Sequence, residues 1–197
     1  MAVSSCDEWS GLREVVVGTA YGAMFPAESR RMVEATMPAE HWDAFRPGHA
    51  FPPGIVAGVE EELQGLAEFL EGLGCRVHRP RRVPWSALGG YCAAMPRDAL
   101  FVMGDRVIEA PMAWRSRRHE LLAYWPLMVA WRRAGARWAP AEVDFDIDPG
   151  TSDSPCRDSW AVGEARPAWD AADFLRFGPG RSSASSAMSP TVPASST

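Results

Sequence analysis

Tyr91-Cys92-Ala93-Ala94-Met95-Pro96-Arg97-Asp98 runs into Ala99-Leu100-Phe101-Val102-Met103-Gly104-Asp105 and then Arg106-Val107-Ile108-Glu109-Ala110-Pro111-Met112-Ala113-Trp114-Arg115-Ser116-Arg117. Two short apolar runs, Ala99 to Met103 and Arg106 to Ala110, flank Gly104-Asp105. That pair supplies the positive φ of a tight II′ turn, so the spacing predicts a β-hairpin. From Arg117 to Ala134 the residues Leu121, Leu122, Trp125, Met128, Val129 and Trp131 make a broadly apolar helix. Gly135 ends it, and Ala136-Arg137-Trp138 returns as a strand. Hairpin, helix and strand in that order form a ββαβ unit, which makes the fold α/β. A carboxylate and several arginines interrupt this otherwise apolar stretch, which a plain core hairpin would not require.

Working outward, Leu12 to Gly18 is a short β-branched run closed by glycine, a buried strand. Thr19 to Pro53 lacks a clear period and carries several prolines, so it reads as an irregular excursion. Val59, Leu63, Leu66, Ala67, Leu70 and Leu73 then fall on one face of a helix, with Glu60, Glu61, Glu62, Glu68 and Glu71 mostly off it. Gly74 ends that helix, and Cys75-Arg76-Val77 leads as a strand to Pro80. On the other side, Ala139 to Arg166 is an acidic, proline-bearing loop. Trp169-Asp170-Ala171-Ala172-Asp173-Phe174-Leu175-Arg176-Phe177 resumes a strand-like run. Residues 1–178 are thus the folded unit. Residues 179–197 are serine-rich, with Arg181 their only charge, and are expected to be a disordered tail.

The chain of 197 residues, nearly half apolar and a quarter charged, suits one globular unit. A net charge of -5 offers no basic face for nucleic acid. No apolar run reaches the roughly 18–20 residues of a membrane span. The polar start, with Asp7 and Glu8, does not resemble a signal peptide, so the cytoplasm is the expected location. Cys6, Cys75, Cys92 and Cys156 are scattered without a Cys-x-x-Cys pair, which argues against zinc and against a disulfide framework. Lysine and asparagine are absent altogether; both use A-rich codons, which points to a GC-rich, bacterial gene.

The central stretch resembles the amidinotransferases, as do four further pieces. Glu8-Trp9 with Leu12-Arg13-Glu14-Val15-Val16-Val17-Gly18 is similar to that family's opening strand. Arg76-Val77-His78-Arg79-Pro80 and Gly135-Ala136-Arg137-Trp138 match later strand ends, and Trp169-Asp170-Ala171-Ala172-Asp173-Phe174 resembles its Phe-Asp-Ala-Ala-Asp-Phe motif. The resemblance reaches both glycine and inosamine-phosphate amidinotransferases and implies a pentein-type α/β propeller of ββαβ units around a central pocket. It also implies transfer of the amidino group of L-arginine to an acceptor amine through an amidino-cysteine, without metal or organic cofactor. Carried over by position, Asp98 is the carboxylate that grips the guanidinium, and Asp173 orients the catalytic histidine. Arg97, Arg115 and Arg117 read as loop and helix-face arginines in surface pairs, each worth under about 1 kcal/mol. Glu109 reads as a brace at the hairpin exit.

The family's histidine, in a His-x-Asp motif, and its cysteine, in a Phe-His-Cys motif, have no counterparts here. His41-Trp42-Asp43 has the spacing but lies in the irregular excursion; His49, His78 and His119 lack it. The expectation is an N-terminal part of the propeller, inactive alone, with a homo-oligomer as a further possibility. A non-catalytic arginine-binding or regulatory fragment is the alternative. Codons permitted by Ser185 to Thr191 read in another frame as Gln-Arg-Asn-Val-Thr-Asn, close to a run the family carries next. A frameshift near Gly178 to Gly180 would therefore account for the tail.

Overall fold

The computed structural model describes residues 3–26, 37–112, 115–141, 169–179 and 182–184. In chain order these form β1 (Glu14–Val16), β2 (Thr19–Met24), α1 (Pro53–Gly72), β3 (Arg76–His78), β4 (Tyr91–Ala93) and a single-turn α2 (Pro96–Ala99). Then follow β5 (Leu100–Met103), β6 (Arg106–Glu109), α3 (Leu121–Arg133) on a 3-10 turn (Arg115–Glu120), β7 (Arg137–Ala139), a second 3-10 turn (Ala171–Asp173), β8 (Phe174–Arg176) and β9 (Ser182–Ala184).

The expected hairpin is β5 against β6, with Phe101 opposite Ile108, and Gly104 turns it at φ 57°. β7 adds to β6 in parallel, Arg106 opposite Arg137, completing the ββαβ unit. The same crossover occurs earlier: β1 and β3 pair in parallel across α1, Glu14 opposite Arg76. Both helices end identically. Cys75 N–H bonds Leu70 C=O at 3.0 Å and Gly74 N–H bonds Glu71 C=O at 2.9 Å; Ala136 and Gly135 repeat this on Trp131 and Arg132, each at 3.0 Å. This is the Schellman closure, which needs a left-handed residue at its centre; Gly74 and Gly135 supply φ of 84° and 101°. The emerging arginine then bonds back to the older strand, Arg76 N–H to Arg13 C=O and Arg137 N–H to Asp105 C=O. Asp105 also chelates the Arg137 side chain, as Glu14 pairs with Arg76.

Three departures from the sequence reading have physical causes. Thr19 to Met24, read as irregular, is a strand, because it pairs antiparallel with β4. α1 begins at Pro53, and its inward stripe is Val56, Val59, Leu63, Ala67 and Leu70, while Leu66 and Leu73 are exposed. Glu60 turns inward with that stripe, where it accepts the Thr19 hydroxyl at 2.9 Å and the Ala20 N–H at 2.5 Å. Within the expected tail, Ser182–Ala184 pair antiparallel with β8, Leu175 opposite Ser183, so a free strand edge recruits even this polar segment. The remainder of the tail and the loop over 142–168 lie outside the described residues.

α3 carries Pro126 in its interior. A proline there offers no N–H to the carbonyl four residues back, Leu122. Arg81 makes good the loss: its Nε donates to Leu122 C=O at 2.8 Å, and its backbone N–H to Ala123 C=O at 2.9 Å. The main core lies between α3 and the sheets, around Trp85, Leu100, Val107, Tyr124 and Met128. Tyr124, fully buried, donates its hydroxyl to Ala93 C=O at 3.0 Å, which locks α3 to the end of β4. Tyr124→Phe is expected to lower the free energy of unfolding by about 1–2 kcal/mol, measurable by urea titration. Among the described residues no helix is long and apolar enough to cross a membrane.

Candidate functional site

β4 exits through Ala94-Met95 into α2, with Pro96 in the first helical turn, where its missing N–H costs nothing. Asp98 sits in that turn. Arg97 ties α2 to the Asp-Ala-Ala-Asp segment, its guanidinium donating to Ala171 C=O at 3.1 Å and Phe174 C=O at 2.5 Å. This tie sets Asp170 beside Asp98 although 72 residues of sequence separate them. Arg97 makes the expected part-exposed pair, with Glu8 at 3.4 Å, and is also a brace between two segments.

The two aspartates meet at Arg117. Its Nη2 donates to Asp98 Oδ2 at 3.0 Å, and its Nη1 lies 3.6 Å from Asp170 Oδ2. Its Nε and Nη2 reach the two oxygens of Glu120 at 2.9 and 3.2 Å. The guanidinium carbon stands 5.4 Å above the ring of Tyr91. Arg117 is 5 % exposed and Glu120 not at all, which corrects the expectation of a solvated helix-face arginine. Arg-x-x-Glu spacing does place both side chains on one helical face, but the sequence does not say that the face is covered. Arg115 was grouped with Arg117, and its side chain lies outside the described residues.

Three carboxylates thus surround one guanidinium. Burial pushes Glu120 up to about 7, against the hydrogen bond and attraction of Arg117 and with the added repulsion of Asp98 and Asp170. Burial also raises Asp170, opposed by Arg117 and helped by Asp98 and Asp173. Arg117 is held charged: burial works against it, but its bonds to Glu120 and Asp98 outweigh that cost.

Asp170 and Asp173 take different parts. They form a reciprocal cap over the 3-10 turn, Asp173 Oδ2 accepting the Asp170 N–H at 3.1 Å. Asp170 Oδ1 is buried and has no hydrogen-bond partner among the described residues. Asp173 therefore steadies the turn, and Asp170 presents the unsatisfied oxygen. Sequence reasoning took Asp173 as the residue that orients the catalytic histidine and did not single out Asp170; a capping box running from the first aspartate to the fourth residue was the available signal for the turn.

Other candidates lie elsewhere. Glu109 accepts the Trp138 indole N–H at 2.8 Å and the Ala141 N–H at 3.2 Å, a brace at the hairpin exit. His41 packs edge-on against Phe45. Cys6, Cys75 and Cys92 are free thiols; Cys156 is outside the described residues. Burial pushes the Cys92 thiol up to about 11, so it is not a thiolate near neutrality. Among the described residues no three His, Cys, Asp or Glu side chains are placed to hold a metal ion.

No family model matches the chain. It is 35% identical, over 89% of its length, to the mitochondrial glycine amidinotransferase of Danio rerio, of which it covers 47%. It is 36% identical to the L-arginine:L-lysine amidinotransferase of Pseudomonas savastanoi pv. phaseolicola, over 89% of this chain and 53% of that protein. The solved inosamine-phosphate amidinotransferase of Streptomyces griseus superimposes with a TM-score of 0.73 at 35% identity, over 89% of this chain and 53% of that one. The chain spans about half the length of the curated relatives it matches.

Proposed function

We propose that the chain, which is similar to amidinotransferases over about half of their length and shares the pentein-type α/β fold of the solved one there, carries the guanidinium-recognition part of an arginine-dependent amidinotransferase site. The carrying observation is the charge balance around Arg117. Asp98, Glu120 and Asp170 bring more negative charge than one arginine neutralises, and Asp170 keeps a buried oxygen without a donor among the described residues. A second guanidinium, that of L-arginine, supplies planar paired N–H donors suited to such oxygens. Asp98 would grip it, and Asp173 would hold the Asp-Ala-Ala-Asp turn so that Asp170 faces the reacting group.

In the complete reaction a thiolate adds to the guanidinium carbon, the carbon–nitrogen bond to ornithine breaks, and the leaving amine takes a proton. An acceptor amine then displaces the thiolate from the amidino-cysteine. The relatives are named for glycine, lysine and inosamine phosphate, which leaves the acceptor class open beyond an amine. Among the described residues the thiol that senses Asp98 is that of Cys92, and burial pushes it up to about 11. On this reading the chain alone binds arginine and does not turn it over.

The test is equilibrium dialysis of the purified chain with radiolabelled L-arginine. Asp98→Asn is expected to weaken binding by about 10–100-fold, the equivalent of a charged hydrogen bond of about 1.5–3 kcal/mol. Binding indifferent to Asp98→Asn would remove the proposed grip. Arginine–ornithine exchange by the chain alone would overturn the claim that it lacks turnover.

A further inference from the structure

We propose that Arg117 is a positioning residue: it holds one oxygen of Asp98 and one of Asp170, so that the other oxygen of each is offered to an incoming guanidinium. The inference rests on the arginine-binding reading above and assigns the residue that sets its geometry.

Arg117 takes Asp98 through Oδ2 and approaches Asp170 through Oδ2 as well, leaving the Oδ1 atoms for other donors. Asp170 Oδ1 is the buried atom that finds no partner among the described residues. A buried acceptor left in that state costs free energy, and a ligand donor would recover it. The arginine that arranges this cannot drift. Tyr91 lies under it, and Glu120 engages its far edge through two bonds from a wholly buried position. A bidentate fork is needed to hold two neighbouring carboxylates at fixed rotation; an ammonium offers a point charge and no such constraint. Arg117 therefore does more than neutralise charge: it chooses which lone pairs face outward.

Glu120 sets how strongly Arg117 serves the two aspartates. The charged and titratable groups facing Glu120 are Arg117 on its own turn, Asp98 on α2, Asp170 beyond it, Tyr91 and Cys92 on β4, and Tyr124 on α3. Of these, Tyr91 and Cys92 titrate only near 12 and 11, and Tyr124 is raised by burial. Glu120, pushed up to about 7 by burial, changes charge between pH 6 and 8. Its ionisation draws Arg117 toward it and frees negative potential at Asp98 and Asp170, so arginine binding should tighten as pH rises through this interval.

The experiment uses the full chain, with arginine affinity measured by dialysis from pH 6 to 8 for wild type, Arg117→Lys and Glu120→Gln, and folding followed by circular dichroism. Arg117→Lys, which keeps the charge, is expected to weaken arginine binding at least about tenfold while the folded fraction is unchanged. Glu120→Gln is expected to abolish the rise in affinity with pH, an effect a merely structural role would not produce. If Arg117→Lys does not fold, the Glu120→Gln profile decides. Wild-type binding with undiminished affinity in Arg117→Lys, or an unaltered pH profile in Glu120→Gln, overturns the inference alone. A wild-type chain with no affinity for arginine overturns the arginine reading and this inference with it.

Discussion

Arg117→Met is expected to lower the free energy of unfolding by about 3–5 kcal/mol at pH 8, because it leaves Glu120 buried without the counter-charge that stabilises its ionised form. At pH 5.5 the loss should be visibly smaller. Burial already holds Glu120 at about 7 in the folded chain, so below that pH the carboxyl is neutral and needs Arg117 less. The wild type carries the same sign. A carboxyl whose folded pKa lies above its unfolded value binds more protons in the native state. Stability therefore falls as pH rises from the unfolded value of 4.5 toward about 7, by at most about 1.4 kcal/mol per pH unit for one group, and then levels. Asp170, also raised, adds in the same direction at lower pH. Glu8 and Glu14 are lowered, chiefly by hydrogen bonds from Arg176 and His78, and their contribution is lost as pH falls. Urea titrations at the two pH values separate these terms. Equal losses at pH 5.5 and 8 would show that packing around the Arg117 stem, not the charge on Glu120, sets the cost. Changing both partners, Arg117→Met with Glu120→Leu, should recover most of the stability, since a buried pair is often no better than apolar groups of like volume.

The same pair shows where sequence reading stops. The ββαβ unit was legible because its signals are local: a Gly-Asp turn, an apolar helix, a glycine at its end. Charge at Arg117 and Glu120 was equally visible, but its meaning depends on what covers it. Tyr91 and Asp98 come from upstream of the pair, and Asp170 from far downstream of it. A residue cannot be read as buried until the segments that bury it are placed. β2 failed for a related reason. Thr19–Met24 has little alternation of its own and is a strand through its partner β4. Glu60 was assigned to the solvent face with its neighbouring glutamates; a hydroxyl and an N–H from β2 draw it inward. In the Asp-Ala-Ala-Asp segment the motif singled out Asp173 and gave no sign of the cap that joins the two aspartates. That cap, and the buried Asp170 oxygen that meets no hydrogen-bond donor among the described residues, are visible only in the folded turn.

Gly18→Ala tests the link between scaffold and site, with an expected destabilisation of about 3 kcal/mol. Gly18 joins β1 to β2 where the chain crosses the end of β4, and a Cβ there would come closer than 3.0 Å to the carbonyl of Ala94 and to Ala93 O. Those are backbone atoms, so no rotamer change relieves the clash; either β1 lifts or the end of β4 shifts. Both responses are costly. Ala93 is fully buried and its carbonyl is held by Tyr124 from α3, while Val17 N–H is tied to His78 C=O on β3. The site follows the strand. Asp98 lies a few residues past Ala94 on an unbroken stretch, so displacement of β4 turns its carboxylate away from Arg117. A thermal melt should therefore show a large loss of stability, and arginine binding by the fraction still folded should fall together with it. Full arginine affinity in a destabilised but folded Gly18→Ala chain would mean that α2 is held by Arg97 and the Asp170 turn and owes its position little to β4.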